Sequence, residues 1–316
     1  MAKLNSKMVL TVGHSTRPIE QFLRLLQANA VTCLVDVRTV PRSRHNPQFN
    51  RESLQESLGA CGIGYQHLAE LGGLVAVLGF LRAQAVAERI VAPELAAVKL
   101  PDGVGFEVGA ATLLTYLTTM HALIDRARLR PGETLLVLGA AGGVGLAAVQ
   151  LGKLLGARVI AAASSPEKVA FCQQQGADLG ICYGSEDLKE RTKALTQGQG
   201  ADVIYDPIGG PFAEPALRAI AWEGRYLVVG FAAGEIPKIP LNLTLLKGCQ
   251  IVGVFWGQFA AREPQRNREH AARVLEWVEQ GKLAPHLDAV LPFAQAPEAL
   301  RRMERREVRG KLVLVP

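Results

Sequence analysis

The chain has 316 residues, a formal net charge of +6 and 49% hydrophobic residues. That composition supports a sizeable buried core and excludes a disordered or low-complexity protein. Five scattered cysteines (Cys33, Cys61, Cys172, Cys182 and Cys249) form no CxxC or Cys/His ligand spacing, which argues against a disulfide scaffold or a zinc finger. We expect reduced thiols, a cytoplasmic setting, no bound metal and no membrane span, and the opening MAKLNSKMVLTVGHS does not read as a signal peptide. The mildly basic balance does not require nucleic acid, because an anionic cofactor and arginine-rich surface helices account for it equally well.

The first 73 residues read as a separate α/β fragment. Apolar runs predict strands over 8–13, 32–37 and 64–67, and amphipathic spacing predicts helices over 18–28 and 51–61. Polar residues stand at the strand ends: His14 and Ser15 after the first, Asp36 and Arg38 after the second. Sites form at the carboxyl ends of parallel strands. A structural Asp36–Arg38 pair with His14 as a turn residue is the reading to prefer. Arg38, Arg42, Arg44 and His45 cluster in a polar stretch, which reads as a solvated loop before it reads as a phosphate- or DNA-related surface. The run LGGLVAVLGFL at 71–81 is apolar and punctuated by glycine, unlike a solvated linker, and reads as a junction between two folds.

The most informative stretch is VLGAAGGVGL at 137–146. A predicted strand, Thr134–Leu138, enters a glycine-rich turn, and a helix pattern follows over 146–155. The spacing is A-x-G-x-x-G at Ala140, Gly142 and Gly145, with alanine in place of the usual first glycine. Backbone N–H groups approach a pyrophosphate closely only where no Cβ intervenes, and a helix N-terminus adds favourable dipole charge. With a second strand at Arg158–Ala163, this is the pattern of a dinucleotide site. An NAD site ends its second strand with Asp or Glu on the ribose 2′-hydroxyl. Here the chain continues Ser164-Ser165-Pro166-Glu167-Lys168. Hydroxyls and an ammonium suit a 2′-phosphate that a carboxylate would repel, so NADP(H) is expected over NAD(H).

Further on, strand and helix patterns alternate: helix 166–176, strand 180–183, helix 186–195, strand 202–205, helix 212–221, strand 226–230 and a last apolar strand 250–256. This order predicts a doubly wound parallel sheet. The strand at 250–256 is expected at the sheet edge, apolar and uncharged, where it would pair with its copy in a homodimer. A long helix at 263–280, a strand at 287–291, a helix at 296–305 and a strand at 311–315 complete the chain. We divide it into an α/β fragment (1–73), a junction (74–110), a Rossmann domain (111–260) and a C-terminal segment (261–316).

From about residue 83 onward the chain resembles the zinc-independent medium-chain dehydrogenase/reductases of the quinone oxidoreductase type. The motifs carrying the resemblance are ERIVAPELAAVKLPDGVGFEVGAA, RPGETLLVLGAAGGVGLAAVQLGKLLGARVIAAASSPEK, DVIYDPIGG, GRYLVVGFAAG, IPLNLTLLKG and VGVFWG. The resemblance implies NADPH lying across the glycine turn. Gly142, Gly143, Val144 and Gly145 would then meet the pyrophosphate, with Ser164, Lys168 and Tyr183 near the 2′-phosphate. Gly230-Phe231 and Val254-Phe255 would lie at the nicotinamide, and Thr118, on a helix expected over 112–125, beside it. A helix-stabilising hydroxyl is an equal reading of Thr118. The implied activity is hydride transfer to a quinone or enone, and no residue is named as a catalytic base. From about 9 to 73, TVGHSTRPIEQFLRLLQ, LVDVRTVPRSRHNPQFN and GIGYQHLAELGG resemble the start of the DUF488 family, which names a fold fragment and no reaction. The reductase family begins with a GroES-like domain that forms half of the substrate cleft, and here only about 83–109 of it is recognisable. A dinucleotide-binding module without turnover, from a recombined or mispredicted gene, is therefore the alternative.

Overall fold

The computed structural model describes residues 18–28, 31, 33–36, 47–67, 75–77 and 97–315. The chain forms two compact units, Met1–Phe106 and Glu107–Pro316. The expected strand at 8–13, together with His14, Ser15, Arg38, Arg42, Arg44 and His45, lies outside the described residues. No helix among the described residues is long and apolar enough to cross a membrane.

In the first unit, helices α1 (Ile19–Ala28) and α2 (Arg51–Ala60) accompany two strands, β1 (Cys33–Asp36) and β2 (Gly64–His67), which pair in parallel with Asp36 opposite His67. Phe22, Leu26, Phe49, Leu54, Leu58 and Ile63 form its core, and the Phe22 and Phe49 rings meet edge-on at 5.1 Å. Part of the expected junction is ordered as a strand. β3 (Val75–Val77) pairs antiparallel with β4 (Ala97–Lys99).

The second unit is the doubly wound α/β domain that the alternation predicts. Its strands are β5 (Thr134–Leu138), β6 (Arg158–Ala163), β7 (Leu179–Cys182), β8 (Ala201–Asp206), β9 (Ile220–Val228) and β10 (Gln250–Gly253), all parallel, in the order β10-β9-β8-β5-β6-β7. The order reverses between β5 and β8, and a ligand crevice opens at the carboxyl ends of strands around such a point. Burial on both faces explains the composition of the central strands: every residue of β5 is buried, as are the five after Arg158 in β6. The intervening helices are α4 (Gly143–Leu154), α5 (Pro166–Gln174), α6 (Leu188–Leu195) and α7 (Ala213–Arg218).

Several boundaries differ from the sequence pattern. α4 starts at Gly143, because the glycines themselves form its first turn. β9 starts at Ile220, and the helix before it is correspondingly shorter; Glu223, at φ 58°, lies within the strand. A short helix, α8 (Asn242–Lys247), precedes β10. β10 ends at Gly253, and Trp256, expected in the strand, opens helix α9 (Trp256–Arg262) with its indole donating to Asn267 Oδ1. The helix expected over 112–125 begins earlier, as α3 (Phe106–Met120), and widens into π-helical turns over His121–Arg126.

The C-terminal segment contains α10 (Pro264–Glu279), β11 (Leu287–Pro292), α11 (Ala296–Glu304) and β12 (Lys311–Val315), with β11 and β12 paired in parallel. At the amino ends of the central strands Arg225 acts as a staple. Its guanidinium donates to both Glu133 oxygens at 3.0 and 2.6 Å and to the Ala127 carbonyl at 3.1 Å. Burial alone would raise the Glu133 carboxyl, but the hydrogen bonds from Arg225 and from the Arg130 N–H outweigh it, and the group is held below the usual carboxylate range. Such a group stabilises the fold above its unfolded value, and the contribution is lost as pH falls through the folded one. Arg225→Ala is expected to cost about 2 kcal/mol near neutral pH, since both side chains are mostly buried. Its thermal midpoint should also fall less steeply than that of the wild type below the usual carboxylate range. Parallel acid limbs for the two proteins would contradict the assignment.

Candidate functional site

The glycine turn joins β5 to α4, and its glycines serve different ends. Gly139 has φ +58°, and a Cβ there would lie 2.5 Å from Ile208 Cδ1. At Gly145 a Cβ would lie 2.3 Å from the Gly139 carbonyl oxygen, so this glycine lets α4 pack onto its own turn. Gly142 is exposed, with ordinary backbone angles, and a Cβ there would meet only the Gly139 oxygen, at 3.4 Å. The protein's own packing does not require glycine at 142, and the missing side chain leaves the backbone of the turn open to close approach. The first-turn N–H groups at Gly143, Val144 and Gly145 have no acceptor within the helix, which makes this end an anion cradle. A stripe on α3 supports it from beneath. The Thr119 hydroxyl lies 3.4 Å from the Val144 carbonyl and 3.0 Å from the Tyr205 hydroxyl, and Thr115 Cγ2 packs below Gly143. Thr118 is half-buried, and its hydroxyl donates to the Leu114 carbonyl at 2.7 Å.

Ser164 and Lys168 follow the carboxyl end of β6, and Tyr183 follows that of β7. Ser164 is exposed. Ser165 caps α5, accepting from the Lys168 N–H at 3.4 Å. Gly184 is needed because a Cβ there would lie 2.5 Å from the Ser164 carbonyl oxygen. The Tyr183 ring lies 4.5 Å from that of Phe212, and burial pushes its phenol up, opposed by the charge of Arg306. The Lys168 ammonium donates to the Arg306 carbonyl at 2.6 Å. Arg306 was not evident in the sequence: it sits in the arginine-rich run ERREVRG, which reads as a solvated helix face.

The end of the chain also reaches the turn. The Gly310 N–H donates to the Ala141 carbonyl at 2.8 Å, and Gly142 and Gly310 form an isolated parallel bridge. Lys311 follows, and its Cδ would lie 2.9 Å from a Cβ on Gly143. Burial lowers the Lys311 ammonium from its usual value, and among the described residues it has no ion-pair partner. A desolvated cation beside the first turn of a helix is unfavourable until an anion arrives. On the opposite side of the switch point, the Gly230 N–H lies 3.4 Å from the Asp206 carbonyl, Phe231 is 40% exposed and Phe255 66% exposed. Val254 is buried, with its N–H on the Val228 carbonyl. No group of three or more His, Cys, Asp or Glu among the described residues is placed to hold a metal ion.

Residues 143–278 match the family model of zinc-binding dehydrogenases, and residues 18–81 match the domain of unknown function DUF488. The chain is 39% identical to the quinone oxidoreductase-like protein 2 homolog of Nematostella vectensis, over 81% of this chain and 66% of that protein. A quinone oxidoreductase of Pseudomonas syringae superposes with a TM-score of 0.72 at 32% identity, covering 80% of this chain and 78% of that one. The Escherichia coli quinone oxidoreductase complexed with NADPH superposes with a TM-score of 0.68 at 26% identity, over 73% and 71%. The chain thus spans about two thirds of the length of its Nematostella relative.

The two glycines of the turn should separate in a stability measurement. Gly145→Ala is expected to cost about 1–3 kcal/mol, because its Cβ meets backbone that has no room to move. Gly142→Ala should leave the thermal midpoint of the protein alone nearly unchanged. Equal losses for the two variants would contradict the division of roles.

Proposed function

The chain belongs to the quinone oxidoreductase type of zinc-independent medium-chain dehydrogenase/reductases, and on that footing we propose that it binds NADPH and passes hydride from nicotinamide C4 to a quinone or enone. The observation that carries this reading is the end of β6. Ser164 follows the strand where an acid would hold a free ribose hydroxyl, and the Lys168 ammonium donates to the Arg306 carbonyl. In this reading the N–H groups of Gly143, Val144 and Gly145 receive the pyrophosphate, with Lys311 as a flanking cation. Ser164, Tyr183, Lys168 and Arg306 receive the 2′-phosphate. Gly230, Phe231 and Phe255 border the nicotinamide, and Thr118 stands on the helix beside it. NADPH supplies the hydride, and the protein supplies orientation and exclusion of water. The reduced acceptor takes its proton from water, so no side chain is assigned as acid or base.

A specific observation favours weak turnover. Residues 18–81 match the DUF488 model, and the first unit contains a parallel strand pair with helices, unlike the small barrel expected to wall the acceptor. We assign 1–73 to the DUF488-like fragment, 74–110 to the junction and remnant, 111–260 to the cofactor domain and 261–316 to its C-terminal completion. A misplacement of the acceptor by as little as about 1 Å can cost about a hundredfold in rate. NADPH oxidation with a panel of small quinones, run beside the Pseudomonas syringae enzyme, tests this. Rates within about tenfold of that enzyme would mean that the first unit rebuilds the cleft. Lys168→Ala should weaken NADPH about tenfold and leave NADH unchanged, and equal loss for both would remove the 2′-phosphate assignment.

We further propose that two copies pair along β10. It is the outer strand of the sheet, Ile251 is 40% and Phe255 66% exposed, and residues 250–253 themselves carry no charge. The Val254 N–H faces inward, so a proline there would break the sheet itself and would not report on a dimer. By the alternation of a parallel ladder, Ile251 and Gly253 present their backbone groups outward, and the Gly253 carbonyl accepts from Arg126 Nε at 3.0 Å. Ile251→Pro should therefore convert a dimer to monomer in sedimentation velocity. A monomeric wild type would reject the pairing.

A further inference from the structure

We propose that Asp206 is the positioning residue that holds the nicotinamide side of the cofactor cleft in register with the glycine turn; the inference rests on the NADPH reading above. Asp206 is the last residue of β8, beside the switch point, and is 3% exposed. Its carboxylate has no lysine, arginine or histidine partner among the described residues and is bound by three neutral donors. Oδ1 accepts the N–H groups of Ile208 at 2.7 Å and Gly209 at 2.8 Å, and Oδ2 accepts from the Tyr226 hydroxyl of β9. Burial, reinforced by Asp206, keeps the Tyr226 phenol protonated and hence a donor. The Asp206 carbonyl also receives the N–H groups of Val229, at 2.9 Å, and Gly230.

Three segments converge on this one residue. The loop 207–210 is turned so that Ile208 presses on Gly139 of the glycine turn, while Gly209, at φ +66°, lies against the Phe231 ring. The loop after β9 is then fastened to the first, with Ala232 N–H on the Pro207 carbonyl at 3.1 Å and Ala233 N–H on that of Ile208 at 2.9 Å. Releasing Ile208 and Gly209 would free Phe231 and Gly230 to move relative to the turn. The 2′-phosphate end, beyond β6, would stay in place. A dinucleotide crossing the sheet edge touches both halves, whereas adenosine 2′,5′-bisphosphate touches only the second.

That difference is the test, made by calorimetric titration of the full chain with NADPH and with adenosine 2′,5′-bisphosphate. Asp206→Ala should weaken NADPH by about tenfold or more and leave the bisphosphate within about twofold. Asp206→Asn should restore NADPH binding to within about threefold, because its amide oxygen still accepts both N–H groups and its NH2 can donate to the Tyr226 oxygen. If Asp206→Ala does not fold, Asp206→Glu retains the charge, shifts the acceptor by one methylene and should give the same selective loss. Equal loss of both ligands would reveal general damage and overturn the proposal, as would no loss of either. A wild type that binds neither ligand would sink the NADPH reading itself, which is distinct from failure of the Asp206 assignment.

Discussion

The site depends on how closely the backbone of residues 139–145 approaches itself. Gly145 must sit on the carbonyl of Gly139 for α4 to leave β5 at the angle that points its first N–H groups out of the sheet edge. Once that contact exists, the all-parallel sheet places the turn beside the reversal between β5 and β8, and the loops after β6, β8 and β9 lie around it. The remaining polar chemistry is arranged about this point: cations and hydroxyls on the β6 side, glycine and aromatic residues on the β8–β9 side.

Charge follows the same division. The amino ends of the central strands are closed by the Glu133–Arg225 pair and by Asp202, whose carboxylate takes the Thr134 N–H at 2.7 Å. At the carboxyl ends, among the described residues, Lys168 and Lys311 have no carboxylate partner: the Lys168 ammonium donates to the Arg306 carbonyl, and Lys311 is desolvated beside the first turn of α4. Stabilising pairs at one end and uncompensated cations at the other are what an anion-binding edge requires.

Much of this was legible in the sequence, because it is local. Strand, turn and helix at 134–154 follow from periodicity and glycine spacing, and Ser164 and Lys168 follow from their place after the second strand. What was not legible is long-range. Arg306 meets Lys168, and Lys311 the turn, only because the chain returns after β11, a closure that no periodic signal near residue 140 announces. The role of Asp206 was hidden for a related reason: DPIGG reads as a turn after a strand, and its partner Tyr226 lies on the next strand. The end of β10 was misplaced because QIVGVFW is uniformly apolar, and apolarity alone does not separate a strand from the helix that Trp256 opens.

The account's central claim is that NADPH lies along the carboxyl edge of the sheet, held by segments from both halves of the second unit. Hydrogen exchange with and without saturating NADPH tests it directly on the full chain. The account predicts slowed exchange in 139–145, 164–168, 206–210, 229–231 and 306–311, with α1 and α2 of the first unit unchanged. Unaltered exchange across 139–145, or protection confined to the first unit, would contradict it.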